Sequence, residues 1–273
     1  GAVRRLPRIA LWLFCAAYVL PGFIDRAPWK SADMTAFGYM LALAHGASGW
    51  LHPLLLGLPP ETDGPLPYWL GALALQAAPS WITPAFAARI PFVILLSLTL
   101  VATWYGIYYL ARSPQAQPVR FAFGGEAKPA DYARAMADGG LLALVACLGL
   151  AQLSHEISPA LTQLCFTALT FYAVAAAPYR TVGPAIGLVV GMTGLVASGA
   201  PTMAVLFAAG SALLCLAEPG QSPAARRRSL FWVCGIVVVI LLAGSLAQWL
   251  DLWRWRAIVP ENRWVTWRNL GRL

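Results

Sequence analysis

The sequence predicts an all-α fold: a polytopic membrane bundle of about seven spans, with further helices lying in the interface within a long first outer loop. Three observations carry this. Of 273 residues, 59% are hydrophobic and only 11% charged, against roughly 25% charged in a soluble domain. The apolar residues fall in runs near the length of a bilayer crossing, each bounded by Arg, Pro or Gly clusters. The formal charge of +8 sits beside these runs, not on a polar domain. It therefore reads as membrane orientation and excludes a nucleic-acid partner, leaving membrane lipids as the expected surroundings.

The elements follow in order. Arg4, Arg5 and Arg8 precede a first span over 9–24 and place the amino terminus in the cytoplasm. Pro21, Phe23 and Asp25 stand where a signal peptide would show small residues, so this helix is retained. Residues 25–88 then form the outer loop, with interfacial helices expected over 31–45, carrying Phe37, Met40 and Leu41, and over 65–78, with Trp69 near its start. The second span covers 89–110. Arg112, Arg120, Lys128 and Arg134 mark a cytoplasmic loop, after which spans are expected over 135–154 and 159–177, joined by an outer turn with His155 and Glu156. Arg180 marks the next inner turn, a fifth span covers 182–197, and a sixth ends near Ala217. The segment 218–229, with Arg226, Arg227 and Arg228, is a third inner anchor before the last span, 230–250.

The tail resists this topology. Arg254, Arg256, Arg263, Arg268 and Arg272 oppose an outer placement, although Trp253, Trp255, Trp264 and Trp267 suit an interface on either side. A missed or re-entrant helix would reverse it; the three inner clusters agree with one another, and seven spans are retained. The whole of 1–273 reads as one transmembrane module, expected to be the amino-terminal part of a longer protein. Cys15, Cys147, Cys165, Cys215 and Cys234 lie in apolar runs without metal-ligand spacing and read as small core or lipid-facing residues.

Chemistry concentrates in the outer loop. Asp33, in Pro28-Trp29-Lys30-Ser31-Ala32-Asp33, falls in the first turn of an expected helix, where the helix dipole favours its ionised form. It is a candidate general base; the plainer reading is a first-turn Asp with no chemistry. In the stretch 57–69, prolines and glycines stiffen a turn that delivers Asp63 and Tyr68 to the second interfacial helix, or simply an aromatic-anchored loop. Arg26, Lys30 and Arg89 supply positive charge nearby. His155 and Glu156, at the ends of two spans, are site candidates because ionisable groups there are costly unless paired or solvated; a wet interfacial turn is the alternative.

Taken together, a basic cluster, one helix, an acidic outer loop, Pro65-Leu66-Pro67-Tyr68-Trp69-Leu70 and Ala87-Ala88-Arg89-Ile90-Pro91 resemble the amino-terminal half of membrane glycosyltransferases of the GT-C fold. The likeness is greatest to the bacterial protein mannosyltransferase and aminoarabinose (lipid A) transferase families, over roughly residues 8–180. Relatives show Trp-Lys-x-Asp-Glu and Glu-Lys-Pro-Pro-Leu-Tyr-Tyr-Trp stretches at these places. Here Ala32 replaces the first acid, Met34 follows Asp33, and Gly64 stands where the carrier-binding Lys would be. The resemblance implies transfer of a sugar from a polyprenyl-phosphate carrier to a lipid, glycan or protein acceptor on the outer face of the bacterial inner membrane. It makes Asp33 the catalytic or orienting carboxylate, matches Asp63 to the Glu of the second motif, and lets His155 and Glu156 substitute for a further acid. Lys30, Arg26 and Arg89 would face the phosphate. The acids form no metal signature, and participation of a divalent metal stays open. A flippase, a non-catalytic binder of lipid-linked sugar and an assembly protein are the alternatives; span centres nearly free of charge weigh against an ion-coupled transporter.

Overall fold

Proline and glycine set most of the helix boundaries in the computed structural model, which describes residues 7–24, 28, 30–60, 64–118, 127–147, 154–217 and 223–252. The helices are α1 (Arg8–Val19), α2 (Ser31–Ala44), α3 (Leu66–Ala77), α4 (Pro84–Ala87), α5 (Ile90–Ala111), α6 (Pro129–Val145), α7 (Pro159–Ala176), α8 (Val182–Ala197), α9 (Pro201–Ala217) and α10 (Pro223–Trp249). Proline opens α4, α6, α7, α9 and α10, where its missing N–H has no intrahelical partner to lose. Among the described residues there is no strand, only an isolated bridge between Leu55 and Leu58.

Among the described residues, three helical stretches are long and apolar enough to cross a membrane: Pro84–Ala111, Pro159–Ala176 and Arg226–Trp249. Arg8–Val19, Val182–Ala197 and Pro201–Leu216 are apolar but shorter. The expected first span, 9–24, is cut at Val19, because Pro21 brings no donor and the chain turns, Phe23 and Ile24 both donating to the Leu20 carbonyl. The expected 135–154 helix instead occupies 129–145, with Asp131 and Arg134 inside it. The last helix starts at Pro223, not at 230, so Arg226–Arg228 stand on its first turns.

The core forms around α5 and α7, which pack along each other; α6 covers α5, α8 covers α7, and α9 and α10 pack together beyond α8. Small residues bring the helices close. A Cβ on Gly106 would sit 2.5 Å from the Phe171 ring, and one on Gly194 would sit 2.4 Å from Phe166. The expected interfacial helices α2 and α3 pack on each other, with Gly71 seated against Met40. The two ends of the bundle differ in charge. Arg228 donates from Nη2 to the carbonyls of Ala177 (2.8 Å) and Arg180 (3.3 Å), groups left open at the end of α7. Arg112 lies 5.5 Å from the Tyr179 ring centre at this same end. Lys30 and Arg89 sit at the opposite end, each in an ion pair.

Candidate functional site

At that opposite end, three segments distant in sequence meet. Asp33 lies in the first turn of α2, its backbone fixed by the Met34 N–H bond to the Lys30 carbonyl. Its side chain points inward and is 1% exposed. Arg89, immediately before α5, donates from Nη2 to Asp33 Oδ2 at 3.0 Å and is itself 1% exposed. The backbone N–H of Ile157, in the turn leading into α7, donates to Asp33 Oδ1 at 3.0 Å. Thus both carboxylate oxygens are engaged, and the pair ties α2, α5 and the turn before α7 into one unit.

Beside it, Lys30 donates from Nζ to Glu156 Oε1. Their side chains are 25% and 5% exposed, so this second pair is the one nearer to water. His155 turns the other way. Its Nε2 lies 2.9 Å from the Tyr18 carbonyl near the end of α1, and Nδ1 lies 3.3 Å from Ser154 Oγ, which is 3.1 Å from Tyr18 Oη. One proton arrangement satisfies all three contacts: Nε2–H donates to the carbonyl, the Ser154 hydroxyl donates to Nδ1, and the Tyr18 hydroxyl donates to Ser154. The ring also packs on Tyr18 and Phe23, at centroid distances of 5.0 and 5.3 Å.

Of the residues singled out from the sequence, Asp33, Arg89, Lys30, Glu156 and His155 come together. Tyr68 is buried in the contact between α2 and α3, its ring 5.2 Å from that of Tyr39. Arg26 and Asp63 lie outside the described residues. Sequence reasoning did not single out Tyr18, Ser154 or the Ile157 amide. Tyr18 carried the one available signal, a hydroxyl near the end of an otherwise apolar run. Among the described residues no three His, Cys, Asp or Glu side chains gather as metal ligands would.

A groove of about 460 Å³ runs along α1 against α5, with Leu141 of α6 at its floor. It extends from Arg8, beside Trp104 and Tyr105, to Val19 and Leu20, next to the Tyr18 carbonyl that receives His155. Its walls are mostly apolar. The arrangement thus offers a partly exposed ion pair beside a fully buried one, at the end of the bundle where His155 bonds the Tyr18 carbonyl, with the apolar groove running along α1 from Val19 and Leu20 towards Arg8. Comparison with protein-family models, with curated proteins and with solved structures gives no match.

Proposed function

We propose that this chain is a multi-pass protein of the bacterial inner membrane, with about seven spans and a cytoplasmic amino terminus, that transfers a sugar from a polyprenyl-phosphate carrier to an acceptor on the outer face. The observation that carries the reading is the convergence of Asp33, Arg89, Lys30 and Glu156 from three separate segments at the end of the bundle away from Arg112, Arg180 and Arg228. Clustered arginines favour the cytoplasmic side, which supports an outer position for the paired acids and bases. The groove beside α1 supports a substrate with a long apolar tail.

The two ion pairs divide the work by exposure. Asp33, with both oxygens engaged and no open face, acts as the orienting carboxylate that holds Arg89 and the Ile157 turn in place. Lys30, the more exposed partner, exchanges Glu156 for the carrier phosphate. Glu156, released by that exchange, takes the proton from the acceptor hydroxyl or amine. The acceptor oxygen or nitrogen then bonds to the anomeric carbon, the bond from that carbon to the phosphate oxygen breaks, and polyprenyl phosphate leaves with the electron pair beside Lys30. Binding of the lipid-linked sugar without transfer is the second reading. It is favoured by the engagement of both Asp33 oxygens, which leaves the acid of the relatives' motif unavailable as a base.

The test is transfer from labelled polyprenyl-phosphate sugars by the chain in membranes, with Glu156→Gln and Lys30→Met beside the native form. The transferase reading expects Glu156→Gln to lose turnover while retaining donor binding, and Lys30→Met to lose donor binding. Donor binding without turnover by the native chain selects the second reading. A native chain that neither binds nor transfers any such donor refutes both.

A further inference from the structure

A rigid apolar turn projects from the end of the bundle that holds the ion pairs. Leu55 and Leu58 exchange two backbone hydrogen bonds of 3.0 Å each, enclosing Leu56 at φ 53° and Gly57 at φ 82°. Two central residues at positive φ define the loop type in which Asn-Gly or Gly-Gly is at home, because a Cβ in the left-handed region crowds the backbone. Glycine meets this demand at position 57. Leucine at 56 does not, and its side chain is 96% exposed. A residue that is both strained and uncovered has no account within the packing of the described residues.

The turn is held firmly. The Tyr39 hydroxyl donates to the Leu58 carbonyl at 3.0 Å, the Leu54 N–H to Ser48 Oγ at 2.6 Å, and Trp69 Nε1 to the Trp50 carbonyl at 2.6 Å. Leu55 seats on Gly38, where a Cβ would lie 2.8 Å from it. On this fixed base Leu51, Leu54, Leu56 and Leu58 are all exposed. From Gly46 through Pro60 there is no Asp, Glu, Lys or Arg. The segment itself offers a charged partner no side chain to pair with; Asp251, from another part of the chain, borders the cavity beside it.

The surroundings point to lipid. Leu51, His52, Leu54, Pro59 and Pro60 border a small cavity with Leu250 and Asp251, at the end of α10. The apolar window of that helix is only 28% buried, and its outward face runs through Leu241 and Leu242 to Trp249, 66% exposed. The leucine turn thus continues the lipid-facing side of an apolar helix at the depth where tryptophan marks the interface. We propose that Leu56, with Leu54 and Leu58, is inserted in the lipid of the leaflet at this end of the bundle and anchors the loop that carries it against the membrane surface.

Spin-label accessibility tests this. The label is placed at Leu56→Cys in a chain whose Cys15, Cys147, Cys215 and Cys234 are replaced by Ser, Cys165 being fully buried and inert. The chain is reconstituted in vesicles of phosphatidylethanolamine and phosphatidylglycerol. The expected result is a ratio of oxygen to nickel-chelate accessibility several-fold higher at 56 than at Gln115→Cys, an exposed polar position in the loop after α5. A ratio equal to that at 115 puts the turn in water and overturns the proposal. Low accessibility to both reagents means that protein covers it, a second copy or the chain beyond Leu252, and overturns it equally. A second measurement uses Leu56→Asn, which suits the backbone and keeps the turn. Amide exchange across 50–60 in the same vesicles should quicken several-fold in this variant, and unchanged exchange would contradict lipid insertion.

Discussion

Replacing Asp33 by Asn removes one charge while keeping shape, and the structure sets what that should cost. Three effects are lost or kept. The hydrogen bond from the Ile157 N–H survives on the Asn Oδ1. The interaction with the α2 dipole is worth about 0.3–1 kcal/mol. The dominant effect is the guanidinium of Arg89, 1% exposed, left without its carboxylate partner at 3.0 Å. Breaking a buried pair from one side typically costs about 3–5 kcal/mol, because the remaining charge has been taken out of water without compensation. At about 2–4 °C per kcal/mol for a domain of this size class, the melting temperature in detergent should fall by about 6–20 °C. Arg89→Met should cost a similar amount by stranding Asp33. The double variant carries no charge at positions 33 and 89 and should melt no lower than either single one, a coupling of about 3–5 kcal/mol. The assay is thermal denaturation of all four proteins by size-exclusion fluorescence. Additive losses in the double variant, or a fall below about 2 °C for Asp33→Asn, would refute the account of a desolvated, mutually dependent pair.

Three further outcomes are expected. Gly64→Ala places a Cβ 2.1 Å from the backbone nitrogen of Gly199, and the nearest atoms are all backbone of 197–199, which no rotamer relieves; little monodisperse protein should be recovered, and native yield would refute the close approach of Gly64 to Gly199. Gly22→Ala drives a Cβ to 1.9 Å from His155 Cδ2, so the ring must leave the Tyr18 carbonyl at a cost of about 1–3 kcal/mol, read as a lowered melting temperature that His155→Ala in the same chain partly restores. Trp104→Phe removes the Nε1 donor 2.8 Å from Asp138, which is 8% exposed, and should destabilise by about 1–3 kcal/mol; adding Asp138→Asn should recover part of the loss in the same melt.

Several helices could be read from residue order alone, and the reasons are local. Val182–Ala197 is apolar but for Thr193, whose hydroxyl bonds back to the Val189 carbonyl, and is bounded by Thr181 and Ser198, so composition and boundary agree. The sequence reading of 135–154 missed the start of α6 because it followed hydropathy: the helix opens at Pro129 and carries Asp131 and Arg134, which belong to a helix without belonging to an apolar run. The first run was read through Pro21 to Ile24, where the backbone turns instead. Site residues were locatable because charge is scarce in such a chain. Which acid meets which base was not, since Asp33 and Arg89 stand 56 residues apart and Lys30 and Glu156 stand 126 apart. Pairing at that range is decided by how α2, α5 and the turn before α7 pack. His155 shows the same limit, its place at a helix end being legible and its bond to a carbonyl of α1 not.

The shortness of α1 has a consequence for the membrane itself. Its 12 residues rise about 18 Å, well below the roughly 30 Å of a bilayer hydrocarbon core. Across the groove α5 presents 22 residues, so the two walls of the groove are unequal in length. On the proposed seven-span reading, with α1 as the first span, a bilayer would meet this hydrophobic mismatch by thinning, at a fraction of a kcal/mol per Å. Head groups beside α1 would then be drawn inward, towards the Tyr18 end where the ion pairs lie. A local dimple of this kind would favour thin, short-chain membranes around the protein and would shorten the distance any lipid-borne group must rise to reach Lys30.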